Sequence, residues 1–224
     1  MRRTVEVVSL LESGPLSFDS TLVLHRDAAS RAKDGGAETL FLLEHADVIT
    51  LGRNADARDL HVSEDFLASR NIALRVADRG GKLTYHGPGQ LVVYPILNLS
   101  PDRTDVRRYV RDLEEVLIRT LADFGIAAGR SCLPERVTSV WIGNDKIAAI
   151  GVHISRWITT HGFALNVTDQ PLENFRGIVP CGIRSGGLTT MERALGQAPA
   201  LAQVAARLLP RFAGVFEREI MAAS

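Results

Sequence analysis

The feature that most constrains the fold is an amphipathic helix in the middle of the chain. Asp105 is a suitable N-cap for a helix over 106–124. Its apolar residues recur at spacings of three and four, which places Val110, Leu113, Val116, Leu117 and Leu121 on one side. A helix with a single apolar face must bury that face against a second layer of structure.

The rest of the chain is rich in short β-branched and apolar runs that come in sequence, with helices between groups of them. Strands are predicted over 5–11, 39–43, 48–51, 72–76, 91–97, 139–142, 146–154 and 157–167, with 39–43 and 48–51 paired as one hairpin and 139–142 and 146–154 as another. Further helices are predicted from Ser17 to about Lys33, from Ser63 into Leu67, and over 201–220 with an interruption at Pro210. This order favours an α+β (mixed α/β) fold, with a mixed, largely antiparallel sheet flanked by helices, over regular βαβ alternation.

The bulk composition narrows the class of protein. The chain has 224 residues, enough for a substantial core, and is expected to form one domain over 1–224, with a possible small C-terminal subdomain from about 182. Its 26 basic and 26 acidic residues cancel, which argues against nucleic-acid binding. No segment resembles a secretory signal or is long and apolar enough for a bilayer, and two cysteines make no disulfide framework. A cytoplasmic protein without a membrane partner is expected.

A glycine-rich segment, residues 79–90, lies between two predicted strands. Its glycines permit close approach of a ligand to the backbone, and Thr84, Tyr85 and His86 could orient that ligand. The spacing fits neither a phosphate-binding loop nor a dinucleotide fingerprint. Taken alone, a glycine-rich hairpin with a hydrogen-bonded His86 is the better interpretation.

Three other segments carry reactive side chains. Lys146 opens an apolar strand, where partial desolvation would make it a base, although an isolated lysine at a hairpin turn is more often a surface residue. His161 lies on the next strand, where it either contacts substrate or is a satisfied polar group. Cys181 lies in a Pro-Cys-Gly turn and is a candidate nucleophile. The available bases are Lys146, His86 and His161. Cys132 does not lie in a comparable turn.

Together these segments resemble the lipoyl (octanoyl) transferase family. The segments that carry the likeness, which runs from about Leu51 to Thr190, are 51–54, 78–91, 146–152, 160–167 and 180–183. The resemblance implies a fold shared with biotin and lipoate protein ligases. It also implies transfer of an octanoyl group from octanoyl-acyl carrier protein to a lysine of lipoyl domains, in 2-oxoacid dehydrogenase complexes and the glycine cleavage H protein.

The resemblance also implies roles for individual residues. Cys181 would carry the acyl group as a thioester and Lys146 would transfer protons, without metal or cofactor. The substrate would be bound by Arg79, Gly80, Gly81, Lys82, Leu83, Thr84, Tyr85, His86, Ala149, Ile150, Gly151, His161, Gly162, Phe163 and Ala164. The family varies at Leu83 and Phe163, so acyl length preference is open. A monomer is expected, with Arg53, Arg107 and Arg108 as possible contacts for the carrier protein.

Three other functions compete with this interpretation. An ATP-dependent lipoate or biotin ligase would make an acyl-adenylate and leave Cys181 without a role. A cysteine hydrolase using Cys181 and His161 would leave Lys146 and the glycine-rich segment without one. A non-catalytic fatty-acyl carrier would bind its ligand with no covalent adduct.

Overall fold

A computed structural model of the protein describes residues 3–56, 60, 62–131, 138–175 and 186–222. The strands are β1 Arg3–Ser9, β2 Glu38–Leu43, β3 Val48–Leu51, β4 Ala73–Val76, β5 Leu83–His86, β6 Gln90–Ile96, β7 Gly129–Arg130, β8 Ser139–Ile142, β9 Asp145–Ser155, β10 Ile158–Asn166, β11 Gly187–Leu188 and β12 Arg218–Ala222. The α-helices are α1 Phe18–Lys33, α2 Glu64–Ser69, α3 Val106–Ala122, α4 Leu172–Phe175, α5 Met191–Leu195 and α6 Leu201–Phe216, and a 3-10 turn covers Leu11–Ser13.

The main sheet has nine strands in the order β12-β1-β2-β6-β10-β9-β8-β7, with β11 added beside β9. The pairs β1–β12, β1–β2 and β9–β11 are parallel, and the remaining pairs are antiparallel. The prediction of an α+β fold with a mixed, largely antiparallel sheet is therefore confirmed.

Helices cover both faces of this sheet. Leu113 and Leu117 of α3 join Phe212 of α6 and the inward side chains of β2, β6 and β10 in the largest apolar cluster. Ala28 and Ala32 of α1 pack on the opposite face, against a second cluster that contains Ala164. The sheet thus lies between two layers of helices, and the amphipathic central helix α3 belongs to one of these outer layers.

A second sheet of three strands, β4-β3-β5, lies beside the main one. The predicted hairpin of 39–43 with 48–51 is wrong, because β2 pairs with β1 and β6 whereas β3 pairs with β4 and β5. The connection between them instead carries the chain from one sheet to the other, and His45 within it bridges to Leu16. By contrast, the predicted hairpin of β8 and β9 is confirmed.

Helix starts follow the predicted caps. The Ser17 hydroxyl accepts the amide N–H of Ser20 at 3.2 Å, and the Ser63 hydroxyl accepts that of Phe66 at 3.2 Å. The Asp105 carboxylate accepts the amides of Arg107 and Arg108 at 2.8 and 3.1 Å.

The C-terminal part differs from the prediction. Pro210 lies inside α6 without ending it, and the helix stops at Phe216, where Glu217 takes a left-handed conformation. The next residues form β12, a strand that was predicted as helix and that pairs in parallel with β1. The subdomain from about 182 stays a prediction. None of the described helices has the length and apolar character needed to cross a membrane.

Candidate functional site

A small cavity, here called the slot, lies between the start of α1, strand β5 and the hairpin of β9 and β10. Its volume is about 40 Å³. It is lined by Phe18, Arg79, Gly80, Gly81, Thr84, His86, Tyr94, Ala149, Ile150, Gly151, His161, Gly162, Phe163 and Ala164. The structure therefore brings together most of the residues that the sequence predicts for substrate binding; those that do not line the slot are Lys82, Leu83 and Tyr85.

The pleat of β5 separates its four residues into two sets. Thr84 and His86 line the slot. Leu83 and Tyr85 point to the other side of the strand, into a separate apolar cluster between the small sheet and α2. The Tyr85 hydroxyl donates to Asp47 and accepts from Asn174, which indicates a structural position.

Two glycines of the slot lie in close contact with neighbouring residues. A Cβ on Gly162 would lie 2.1 Å from the carbonyl oxygen of Val93 on the neighbouring strand. A Cβ on Gly151 would lie 3.1 Å from Cδ of Arg79. The glycines thus let β6 and the Arg79 side chain approach the hairpin closely.

Arg79 is buried and held by Thr50. Its Nη2 donates to both the carbonyl and the hydroxyl oxygen of Thr50 at 2.7 Å, and its Nη1 donates to the carbonyl of Gly80 at 3.0 Å. These bonds fix the guanidinium as a wall of the slot and place its positive charge beside the cavity.

A histidine–tyrosine pair lies behind the slot. Nδ1 of His45 is 3.1 Å from the carbonyl oxygen of Leu16, which can only accept, so Nδ1 carries the proton. Nε2 of His45 then accepts the hydroxyl of Tyr94 at 2.7 Å. Burial lowers the pKa of His45 to about 4, an effect partly opposed by the bond to Leu16, and it is neutral at pH 7.

A second chain of hydrogen bonds begins at His86. Its Nδ1 lies 3.1 Å from Oε1 of Gln90, whose amide donates to Oδ1 of Asn166 at 3.0 Å. Asn166 in turn donates to the carbonyl of Thr189. Burial keeps the pKa of His86 well below its usual value, and the neighbouring His45 and the positive charge of Arg79 lower it further. A neutral His86 that donates through Nδ1 presents a lone pair at Nε2.

His161 is the most constrained residue of the slot. Nε2 donates to Oδ1 of Asp78 at 2.6 Å, the side chain is 2% exposed, and the backbone has a left-handed φ of 58°. The hydrogen bond from His161 lowers the pKa of Asp78 to about 2 against the opposing effect of burial, so Asp78 is anionic at pH 7.

Lys146 lies near the start of β9 and is 3% exposed. The strand contains a β-bulge: Ala148 pairs with Val140 but Lys146 pairs with Trp141, which leaves Ile147 as the extra residue. Ile147 and Ala148 accordingly both belong to the cluster beneath α3. Alternation from Ile147 places Lys146 on the opposite face of the sheet, the face on which Ala149 lines the slot.

Cys181 and Cys132 both lie outside the described residues, so their positions stay predictions. The chain that follows Cys181 is fixed beside Lys146: the amide of Gly187 donates to the carbonyl of Asn144 at 3.2 Å, and the amide of Thr189 donates to that of Lys146 at 3.0 Å. Leu188 pairs with Lys146 in β11.

Several residues around the slot were missed from the sequence, namely Phe18, His25, His45, Asp78, Gln90 and Tyr94. Asp78 and Gln90 belong to the segment 78–91 that carries the family likeness, and His45 lies in the turn that follows β2; polar residues near strand ends were their only signal. Phe18 and His25 lie on α1, where the helical pattern accounts for an apolar face but does not indicate what that face covers.

A larger cavity, here called the outer cavity, lies on the far side of His161 and has a volume of about 640 Å³. It is lined by Leu22, His25, Arg26, Ala29, Ser30, Lys33, Val76, Ala77, Asp78, His153, Ser155, Arg156, Ile158, Thr160 and His161. Although the histidines and Asp78 converge here, no described group of three or more histidine, cysteine or acidic side chains is arranged to hold a metal ion.

Residues 15–213 match the family model described as lipoyl protein ligase A/B catalytic domain. An octanoyltransferase of Solibacter usitatus is 47% identical over 213 residues, which cover 95% of this chain and 94% of that protein. A putative lipoate protein ligase from T. acidophilum with bound lipoic acid has a similar fold, with a TM-score of 0.76, 17% identity, and coverage of 100% of this chain and 89% of that one. The biotin protein ligase from Aquifex aeolicus has a TM-score of 0.56, 13% identity, and coverage of 95% and 70%.

Proposed function

We propose, since this chain belongs to the lipoyl protein ligase A/B catalytic family, that it transfers an octanoyl group to a lysine of lipoyl domains through a thioester on Cys181. Its likeness to an octanoyltransferase over nearly the full length of both chains makes it an acyltransferase. The donor would be octanoyl-acyl carrier protein. The acceptors would be lipoyl domains of 2-oxoacid dehydrogenase complexes and the glycine cleavage H protein.

The observation that carries the proposal is the placement of Lys146. A buried lysine lies on the same strand and the same face as Ala149 and Gly151, which line a narrow slot. The chain that follows Cys181 is hydrogen-bonded beside that lysine. This arrangement supports a proton-transferring group at one end of a cavity for an acyl chain.

Four proton transfers complete the proposed cycle. Lys146 takes the proton of the Cys181 thiol, and the sulfur attacks the donor thioester. When the tetrahedral intermediate collapses, the carrier sulfur leaves and receives that proton from Lys146. The acceptor lysine amine then attacks the acyl-enzyme and loses its proton to Lys146, which returns it to the departing Cys181 sulfur. The products are an amide and the free thiol.

The energetics require no nucleotide. Thioester exchange between two thiols is nearly balanced, and transfer from a thioester to an amine is downhill because the amide is more stable. The slot and its mostly hydrogen-bonded polar wall would then contribute by orientation.

The slot must widen when it is loaded. At about 10–15 Å³ for each water-sized group, eight carbons need roughly 100 Å³. The observed volume is about 40 Å³. The side chains of Ile150 and Phe163 belong to the apolar layer beneath α3, so we expect the adjustment on the side of the slot that Gly80 and Gly81 form.

The test is intact-protein mass spectrometry after mixing the enzyme with octanoyl-acyl carrier protein, without ATP. A single hydroxylamine-labile octanoyl adduct that maps to Cys181 is expected. Cys181→Ala should lose both adduct and transfer, whereas Cys132→Ala, the matched control, should keep both. Equal effects of the two substitutions would refute the choice of nucleophile.

The rival functions give different outcomes in the same experiment. Acylated lipoyl domain that forms only when ATP is added, with no adduct on Cys181, would indicate a ligase. Free octanoate without acylated lipoyl domain would indicate a hydrolase. Binding of the acyl chain that is unchanged in Cys181→Ser, with no adduct, would indicate a passive carrier. Gel filtration and cell fractionation would test the expected monomer and cytoplasmic location.

A further inference from the structure

Among the described residues, only His161 lines both the slot and the outer cavity. On one side of it lies a cavity of about 40 Å³, and on the other a cavity of about 640 Å³. A single imidazole therefore separates a narrow space from a wide one.

This imidazole is held from several directions. Its Nε2 is bonded to Asp78. The ring of Phe18 stacks on it with centroids 6.2 Å apart, and the rings of His25 and Tyr94 meet it edge-on at 5.2 and 6.1 Å. A ring with a charge-assisted hydrogen bond and three aromatic neighbours has little freedom to swing aside.

The length of the slot can be compared with that of an acyl chain. Along β9 the slot extends from Ala149 to Gly151, and His161 pairs with the next residue, Val152. Three residues of strand span about 10 Å. An extended chain advances about 1.2 Å per bond, because three backbone bonds span at most about 3.6 Å, so seven C–C bonds span about 8 Å.

The direction of the chain follows from the same strand. Lys146 precedes Ala149, so the carbonyl of a bound acyl group lies at the Ala149 end and its methyl group at the His161 end. This reasoning rests on the proposed function. We propose that His161, fixed by Asp78, is the end wall of the slot and sets the longest acyl chain that the enzyme accepts.

Removal of the wall would join the two cavities. In His161→Ala the methyl end of a longer chain would pass into the outer cavity beside Ala29, Ile158 and Leu22. Each further buried methylene strengthens binding by about fourfold. The ratio of kcat/KM for decanoyl over octanoyl donor should therefore rise about 15-fold.

The experiment measures kcat/KM with octanoyl-, decanoyl-, dodecanoyl- and tetradecanoyl-acyl carrier protein for the wild type and His161→Ala. The length ratio is taken within one preparation, so a loss of folded protein cancels. His153→Ala is the matched control: His153 also lines the outer cavity, with Nε2 4.0 Å from Asp78, but does not line the slot. Its length ratio should equal that of the wild type.

A second variant keeps the proposal testable if His161→Ala does not fold. Asp78→Ala retains the His161 imidazole but removes the hydrogen bond that holds it. The ratio of kcat/KM for decanoyl over octanoyl donor should therefore rise by a smaller factor. An unchanged ratio in both soluble variants, with octanoyl transfer intact in the wild type, would overturn the role of His161. Absence of octanoyl transfer in the wild type would instead refute the proposed function.

Discussion

Acid should destabilise this protein, because the fold buries several histidines in their neutral form. Substitution of His25 measures the contribution of one of them. His25 is 3% exposed, and neither ring nitrogen has a hydrogen-bond partner in the described part of the chain. Burial, with smaller effects from the neighbouring His161 and His45, lowers its pKa from 6.5 to about 3. The unfolded chain therefore binds a proton at a pH where the folded chain does not.

The sign and size follow from that difference. Because the folded pKa is the lower one, the full stability is present above pH 6.5 and is lost as the pH falls towards 3. Between pH 8 and pH 5, His25 should lower the free energy of unfolding by about 2 kcal/mol. His45, with a folded pKa of about 4, adds a similar amount. These two histidines together should thus lower the free energy of unfolding by about 4 kcal/mol over this range.

The perturbation is His25→Leu, which introduces an apolar side chain that cannot bind a proton and removes no hydrogen bond among the described residues. Urea unfolding of the wild type and the variant at pH 8 and pH 5 measures the difference. At about 1–3 kcal/mol per molar urea, the wild-type midpoint should fall further than that of the variant by roughly 1 M. His153→Leu, at a more exposed position outside the slot, is the control. An identical pH dependence in the wild type and His25→Leu would refute the reasoning.

Three other outcomes are expected. Arg218→Met should lower the free energy of unfolding in urea by about 3 kcal/mol. The Glu38 carboxylate is 2.6 Å from Nε of Arg218, and the substitution leaves this buried carboxylate without that partner. Adding Glu38→Leu should recover most of the loss. Gly162→Ala should lower the free energy of unfolding by at least about 1–3 kcal/mol in the same assay. Its control is Gly129→Ala, where a Cβ meets nothing within 4 Å, and this variant should change the free energy of unfolding by less than about 0.5 kcal/mol. Lys146→Arg should lower single-turnover transfer by about 100-fold or more, since a guanidinium stays protonated; full activity would remove this lysine from the mechanism.

Local signals in the sequence predicted the local structure well. Ser17 and Asp105 begin their helices as expected, because a cap depends on a few neighbouring residues. The pairing of 39–43 with 48–51 failed because two adjacent strands contain no information about which sheet each joins. The strand at 218–222 failed for the same reason: its extended form depends on β1, more than two hundred residues earlier in the chain.

The site was predictable to the level of segments but not of side chains. The glycine-rich segment and the strands with Lys146 and His161 do meet at one cavity. Within the glycine-rich segment, however, only the pleat of β5 shows that Thr84 lines the cavity while Tyr85 faces away from it. The position of His25 could not be predicted, because the helical pattern of α1 does not indicate which cavity its buried face lines.

The extra residue Ile147 has a consequence for how this enzyme can change by insertion and deletion. Deleting one residue between Lys146 and Ala149 would remove the bulge and restore regular alternation, which keeps the lysine on the face of the slot but about 3 Å closer to it. Deleting two would place the lysine next to Ala149 and turn it towards the layer of α3. The bulge therefore sets the distance from the lysine to the slot without changing its face, and we expect length variation in this hairpin at the Gly143–Asn144 turn rather than between Lys146 and Gly151.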